Sequence, residues 1–403
     1  MKIISASLFI LCSVTATFGQ QWTSQTSGTS NLLQAVWFTD IHKGWIVGDL
    51  GTSIFTTNGG QTWNSVGLTG QDLEDIAFGD ASTGIIVGDD GLILRTITAG
   101  ISWTVATSGT STNLRTVTFG SGGMAYIGGR DGVILRSTNN GESWIVVETG
   151  TARYRGSSAS GTQHAWIVGD GGVIRATTNG GVSWFPQSAG TGSDLHGVFF
   201  LNESEGWIGG QNSMLLYTNN GGTTWTLRNT GITVGIDAVF FLDSNEGWAV
   251  GNFGAIFHTK NGGLNWIAEN SGTQNELNDI FFADGTHGWT VGDAGTILHA
   301  GPTTSVGDSQ NRVLPMRTGL SQNFPNPFNP VTSITYQISK AGMVSLKVYN
   351  LVGQEVATLV NRFQVQGDYS VRFDAAAIPS GVYLYKLTVN GGAAEVRKMT
   401  LAR

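Results

Sequence analysis

Between residues 32 and 300, apolar and polar positions recur in a fixed order. "LLQAVWF" (32–38) is followed by "GWIVG" (44–48), then "TSIFTT" (52–57), then a run that starts at Trp63. Each run is short, rich in β-branched and aromatic residues, and bounded by Gly, Asn or Asp. That pattern predicts short strands joined by tight turns. We label them A to D in chain order.

The order repeats. Trp22, Trp63, Trp103, Trp144, Trp184, Trp225 and Trp266 are spaced by 40 or 41 residues. A second column reads Trp45, Ile85, Tyr126, Trp166, Trp207, Trp248 and Trp289, and a third Phe38, Phe78, Phe119, Ala159, Phe200, Phe241 and Phe282. A unit of this size with four strands is one propeller blade. Trp22 opens a D strand, whereas "GTILHA" (295–300) is a C strand with no D strand after it. The N-terminal strand is therefore expected to complete the last blade, which removes open sheet edges. The expected fold is all-β: a seven-bladed β-propeller closed by an N-terminal strand, followed by a small antiparallel β-sandwich.

The turns between strands C and D read T-x-N-x-G-x-T-W (Thr56 to Trp63), with variants at Ser137 to Trp144, Thr177 to Trp184, Thr218 to Trp225 and Thr259 to Trp266. In the stretch Thr96 to Trp103, Thr98 stands where the others have Asn. These turns resemble Asp boxes, or bacterial neuraminidase repeats. The wider "GW-x-VG-x-x-G-x-I" pattern resembles the photosystem II stability/assembly factor propellers, over residues 20–300. Asn replaces the usual Asp, so the boxes carry no charge at that position. Structure alone accounts for the motif: an Asx side chain bonds nearby N–H groups, Gly allows positive φ, and the Trp is expected to wedge between neighbouring sheets. The tryptophans are thus read as core rather than sugar platforms. Trp37 stands outside both tryptophan columns; its own reads Ala77, Thr118, Ser158, Phe199, Phe240 and Phe281, which leaves it free to be exposed.

Composition and charge narrow the function. Residues 1–19 read as a secretory signal: Lys2, an apolar stretch from Ile3 to Val14, and a small-x-small site at Thr17-Phe18-Gly19. Cys12, the single cysteine, lies inside it, so the mature chain has no thiol for a disulfide or a metal. Residues 20–300 carry ten Lys+Arg against 23 Asp+Glu, a poor match to nucleic acid. No second apolar run is long enough to span a membrane.

Six of the seven prolines follow residue 300. Residues 301–319 read as a linker. Beyond it, "QNFPNPFNP" (322–330), "KVYNLVGQEV" (347–356), "GDYSVRFDA" (367–375), "SGVYLYKL" (380–387) and "KMTL" (398–401) fall in order. Residues 320–403 closely resemble the type A C-terminal sorting domain of the type IX secretion system. That resemblance implies passage through the periplasm, handling by the type IX machinery, and release to the outside or attachment at the cell surface.

Propellers bind at the axial mouth and on the face carrying the B–C and D–A turns. The residue after the strand A apolar column is polar in every blade: Gln34, Glu74, Arg115, Arg155, His196, Asp237 and Asn278. With Trp37, these are the candidate ligand-binding residues; a hydrated rim is the plainer reading. Asp49, Asp89, Asp90, Asp131, Asp170 and Asp293 fall in the B–C turns, where Asp before Gly suits a tight hairpin. No catalytic constellation, metal site or cofactor is expected. The expected function is non-enzymatic binding of a protein or glycan outside the cell. The alternative is a secreted glycoside hydrolase or lyase, with Glu74 and Asp237 as an acid/base pair.

Overall fold

The structure, a computed structural model, describes residues 21–301 apart from 229, and 318–402 apart from 324, 325, 340, 341, 365, 366, 377, 391, 393 and 394. The signal expected over 1–19 and nearly all of the linker expected over 301–319 lie outside the described residues. The chain divides into two compact units, Met1–Thr303 and Thr304–Arg403.

The first unit holds seven four-stranded antiparallel sheets. In blade 1, strand A is Leu33–Phe38, B Gly44–Gly48, C Ser53–Thr56 and D Asn64–Ser65. Blades 2 to 6 span 73–105, 114–148, 154–188, 195–227 and 236–269. Blade 7 takes A from Leu277–Phe282, B from Gly288–Gly292, C from Thr296–Gly301 and D from Gln21–Gln25. Gln21–Gln25 runs antiparallel to strand C of blade 7, with Trp22 opposite Ala300. The A strands pack side by side, that of blade 7 against that of blade 1.

The core sits mainly between blades. Four strand B tryptophans lie nearly flat on the column Phe of the next blade: Trp166 on Phe200 (centroids 3.4 Å apart), Trp207 on Phe241 (3.7 Å), Trp248 on Phe282 (3.8 Å) and Trp289 on Phe38 (3.5 Å). Trp45 meets Phe78 at a tilt (4.6 Å). The box tryptophan of the same blade as each Phe meets that ring edge-on, at about 6 Å: Trp225, Trp266, Trp22, Trp63 and Trp103. The ring is thus covered on its face by one tryptophan and at its edge by another, an arrangement that suits the aromatic quadrupole.

The box tryptophans pack in the joints between sheets as expected, but to uneven depth. The strand B tryptophan is the deeper wedge. The box tryptophan closes the flank of the joint: Trp22, Trp144 and Trp184 are buried there, whereas Trp63, Trp103, Trp225 and Trp266 are half-buried. Strand D is outermost in its sheet, so its ring reaches the margin, whereas strand B lies within the sheet. The Phe also explains the Gly of "GW". A Cβ at Gly44, Gly247 or Gly288 would fall 2.4 Å from the Phe ring of its own blade. In blades 3 and 4 the equivalent positions are Ala125 and Ala165; Ala159 replaces the Phe in blade 4, and in blade 3 the Phe119 ring lies against Gly79 instead.

Each box is held by neutral groups. Thr56 Oγ1 accepts the N–H groups of Asn58 (3.2 Å) and Gly60 (2.9 Å). Asn58 Oδ1 accepts the Thr62 N–H (3.0 Å), and Asn58 Nδ2 donates to Thr62 Oγ1 (3.0 Å). Thr98 Oγ1 replaces the amide oxygen in blade 2 and accepts the Ser102 N–H (3.0 Å). Box carbonyls then receive donors from the preceding blade. Gln25 Nε2 donates to Gly59 O, Arg95 Nε to Asn140 O, Arg136 Nε to Gly180 O, Trp166 Nε1 to Gly221 O and Trp207 Nε1 to Gly262 O. The boxes therefore stitch blades together.

The second unit is a β-sandwich. One sheet holds Gly319–Leu320, Val331–Ile338 and Gly367–Asp374; the other holds Gly342–Tyr349, Glu355–Gln364, Gly381–Val389 and Glu395–Leu401. Ile334, Tyr336, Leu346, Val348, Tyr385 and Met399 fill the space between them. The Pro-rich entry is bolted to this core. Phe328 is buried and exchanges backbone bonds with Thr400 and Ala402. Tyr385 Oη donates to Ser321 O (2.7 Å) and accepts the Asn323 N–H (2.8 Å).

Candidate functional site

A β-bulge near the start of strand A builds the site. The ladder shifts register between Leu33 and Ala35, Leu73 and Asp75, Leu114 and Thr116, Tyr154 and Gly156, Leu195 and Val198, Ile236 and Ala238, and Leu277 and Asp279. A bulge re-aims a side chain. Here it frees the polar residue beside a fully buried column to turn toward the axis. Gln34, Glu74, Arg115, Arg155, His196, Asp237 and Asn278 all line one axial cavity of about 540 Å³.

These side chains engage their neighbours. Glu74 of blade 2 forms an ion pair with Arg115 of blade 3. Arg155 pairs with Asp170 of its own B–C turn, and Gln34 Nε2 donates to Asp49 Oδ1 (3.2 Å). His196 Nδ1 meets Asp237 Oδ1 of the next blade at 2.6 Å, and Asn278 Nδ2 donates to Leu33 O of blade 1 (2.9 Å). Glu74 and Asp237, weighed above as an acid/base pair, are each engaged by a different neighbour.

Trp37 also lines the cavity, but not the polar ring. It lies three residues further along strand A, roughly 10 Å toward the A–B turns. There it is half-buried against Phe281 (5.0 Å). Phe281 meets Phe240 (5.5 Å), and Phe240 meets Phe199 (5.1 Å). An aromatic arc thus covers blades 5, 6, 7 and 1 deep in the channel, where blades 2 to 4 offer only Ala77, Thr118 and Ser158. Trp37 belongs to this arc, which corrects its placement at the mouth.

The B–C turns are tight hairpin turns, as expected. The two residues after Asp49, Asp89, Asp170 and Asp293 both take positive φ, the geometry of a two-residue type I′ connection. Two arginines at this face escaped the sequence reading. Arg130 occupies the B–C turn position held by Asp49 and Asp89 in blades 1 and 2, and Arg153 directly precedes the strand A column in blade 4. Reading those two columns across the blades would have found them.

Charge on this face is divided. Burial pushes the Arg115 guanidinium down to about 10, helped by Arg153, Arg130 and Arg155. Arg153 is also lowered, by burial and then by Arg155, and its Nε is buried with no hydrogen-bond partner among the described residues. All four arginines belong to blades 3 and 4. Asp131 and Asp170 stand among them, and Asp170 is paired with Arg155; the remaining carboxylates of this face gather elsewhere. Burial raises Glu276, with Asp237 and Asp293 adding to it. Burial also raises Asp49 and Asp89, and Asp72 pushes both in the same direction. The acidic side therefore runs through blades 6, 7, 1 and 2.

Two further carboxyls occupy the bulge position inside the channel. Asp279 Oδ2 accepts the Val36 N–H of blade 1 (2.8 Å), and Asp75 Oδ2 accepts the Val117 N–H of blade 3 (2.8 Å). Burial pushes Asp279 up to about 8 and Asp75 to about 7, against the opposing pull of these N–H donors. Among the described residues, no three His, Cys, Asp or Glu side chains come together as a metal site.

A ring of four-stranded sheets around a polar axial mouth defines a β-propeller. The chain belongs to the photosynthesis system II assembly factor YCF48 family, whose profile matches residues 63–185 and 157–273. Solved structures of other propellers resemble it. A structure described as YCF48 bound to D1 peptide is 23% identical, with a TM-score of 0.61, covering 71% of this chain and 98% of that one. YCF48 from Cyanidioschyzon merolae is 19% identical, with a TM-score of 0.60, covering 70% and 99%. The WD40 β-propeller domain of Doa1 is 10% identical, with a TM-score of 0.59, covering 70% and 98%. No curated protein matches. Residues 322–401 match the secretion system C-terminal sorting domain, which marks the chain as type IX cargo sent to the cell surface or beyond. Among the described residues, no helix is long and apolar enough to cross a membrane.

Proposed function

We propose that the protein is a non-enzymatic binding module, working outside the cell, that holds a protein or glycan across the channel-mouth face. The division of charge carries this reading: Arg115, Arg130, Arg153 and Arg155 on one side, and Asp49, Asp72, Asp237, Glu276 and Asp293 on the other. Opposed patches around one opening orient a large partner and raise its rate of encounter. The peptide complex of a family relative supports a macromolecular ligand. Its photosynthetic setting does not transfer, because function resides in sites rather than folds.

The test is a binding screen with the purified full chain against arrayed glycans and displayed folded domains. The double variant Arg130→Glu/Arg153→Glu is expected to weaken the selected interactions at least tenfold. The control Lys43→Glu/Lys260→Glu reverses two exposed charges near the A–B and C–D turns instead. Equal loss in both variants, or no ligand on either array, would sink the proposal.

A further inference from the structure

The second residue of the B–C turn reads Leu50, Asp90, Asp131, Gly171, Asn212, Phe253 and Ala294 across the seven blades. All seven have left-handed backbone, with φ between 52° and 69°. Gly accepts this conformation freely, and Asn and Asp accept it better than other residues. Leu and Phe are poor choices, because Cβ crowds the following carbonyl oxygen. Leu50 and Phe253 nevertheless occupy it, and both side chains are 71% exposed. Neither belongs to a core cluster. The bond that braces the Leu50 turn, donated by the Leu50 backbone N–H to the Asp72 side chain at Oδ1 (2.7 Å), requires no Leu side chain. At these two positions the fold gains nothing from an apolar side chain and loses backbone freedom from strain. A residue held in a strained conformation without packing around it points to a role outside the fold.

We infer that Leu50 and Phe253 are the apolar anchors of a protein partner seated over the channel mouth. The inference rests on the binding role proposed above and decides between its two ligand classes. Leu50 offers no flat ring for a sugar to stack on, whereas both side chains suit the apolar pockets of a protein surface. Blades 1 and 6 flank blade 7, and the arginines of blades 3 and 4 lie across the ring from it. A small sugar cannot reach both sides, but one face of a folded protein can. Asp49, Asp72, Glu276 and Asp293 lie on the blades around the anchors. The complementary partner therefore carries apolar pockets rimmed by basic side chains, and an acidic patch at its far edge. Phe253 also borders a hollow of about 410 Å³ beside Asn270, Ser271 and Thr273, where a partner side chain fits.

The experiment uses the full chain, a displayed library of small folded domains with randomised faces, and the double variant Leu50→Asn/Phe253→Asn. Two results are expected together. The variant melts about 2–4 °C higher than the parent, because Asn relieves the left-handed strain. Domains selected on the parent bind it at least tenfold more weakly. A lower melting temperature would overturn the inference, since the side chains would then support the fold. So would domains that lose affinity with Arg130→Glu/Arg153→Glu yet bind Leu50→Asn/Phe253→Asn unchanged, a result that leaves the binding role standing. Domains sensitive only to the Leu50 and Phe253 changes would uphold the anchors and remove the charge argument. Selection of no domain, with glycans bound instead, would overturn the anchors alone; no ligand of either kind would overturn both.

Discussion

The C–D turns and the B–C turns sit at opposite ends of the same blades, yet they treat the repeat differently. At the C–D end, Thr56, Ser137, Thr177, Thr218 and Thr259 repeat one set of hydrogen bonds, and box carbonyls receive donors from the preceding blade. Even the exception is structural: blade 7 draws strand D from the N-terminus, and Trp22 Nε1 bonds Glu269 Oε2 instead (2.8 Å). At the B–C end the backbone repeats but the side chains do not. One position holds Asp49, Asp89, Arg130, Asp170, Gln211, Asn252 and Asp293. A position that must be the same in every blade serves the ring. A position free to differ between blades can serve a ligand.

The comparison breaks first, and most severely, at the joints. Trp289 is fully buried, with Phe38 on its face (3.5 Å) and His299 nearby (4.9 Å). Trp289→Ala is expected to cost about 3–5 kcal/mol in denaturant unfolding, through lost burial and the cavity left behind. A loss below about 1 kcal/mol would mean that the stacked joints do not hold the ring.

Second in size is an effect of pH inside the channel. Asp75 and Asp279 are raised to about 7 and about 8 in the folded chain, against an ordinary carboxyl value of 3.8. Between those values and 3.8, the folded state binds more protons than the unfolded one. Stability from these groups is therefore fully present below 3.8, falls as pH rises from there, and is fully lost once pH has risen through 7 and 8. The difference in melting temperature between the parent and Asp75→Asn/Asp279→Asn, followed from pH 4.5 to 9, isolates it. The parent should lose ground to the variant as pH rises. A flat difference would mean that both carboxyls are already ionised in the folded protein.

Asn58→Ala is a smaller probe of the repeated end. It removes the acceptor for the Thr62 N–H and the donor to Thr62 Oγ1, at a half-exposed turn. The expected cost is about 1 kcal/mol, measured by denaturant unfolding, with binding at the mouth unchanged. Loss of binding without loss of stability would reverse the assignment of the two ends.

What could be read from the sequence follows the same division. The blades, the N-terminal strand D and the polar axial column are periodic, and a period of 40 or 41 residues survives any one substitution. The half-burial of Trp63, Trp103, Trp225 and Trp266 was not legible because periodicity gives a column its phase but not its depth within a sheet. Trp37 was set at the mouth rather than deeper in the channel because a bulge breaks the alternation by which strand residues are placed. Arg130, Arg153, Asp75 and Asp279 went unseen because each departs from its column, and a search for repetition discards departures.

The smallest effect is the most telling for the mouth. Arg130 is exposed on a B–C turn, and its charge opposes that of the part-buried Arg115. In a structural ring, loss of Arg130 should destabilise. At a binding face, Arg130 crowds Arg115, and its removal relieves that repulsion. Arg130→Gln is therefore expected to change stability by less than about 0.5 kcal/mol, with the sign toward stabilisation, and the gain should fade in high salt as the repulsion is screened. Thermal unfolding at low and high salt measures both. A loss above about 1 kcal/mol that persists in high salt would place Arg130 among the supports of the fold, and the divided face would lose its strongest claim to a ligand.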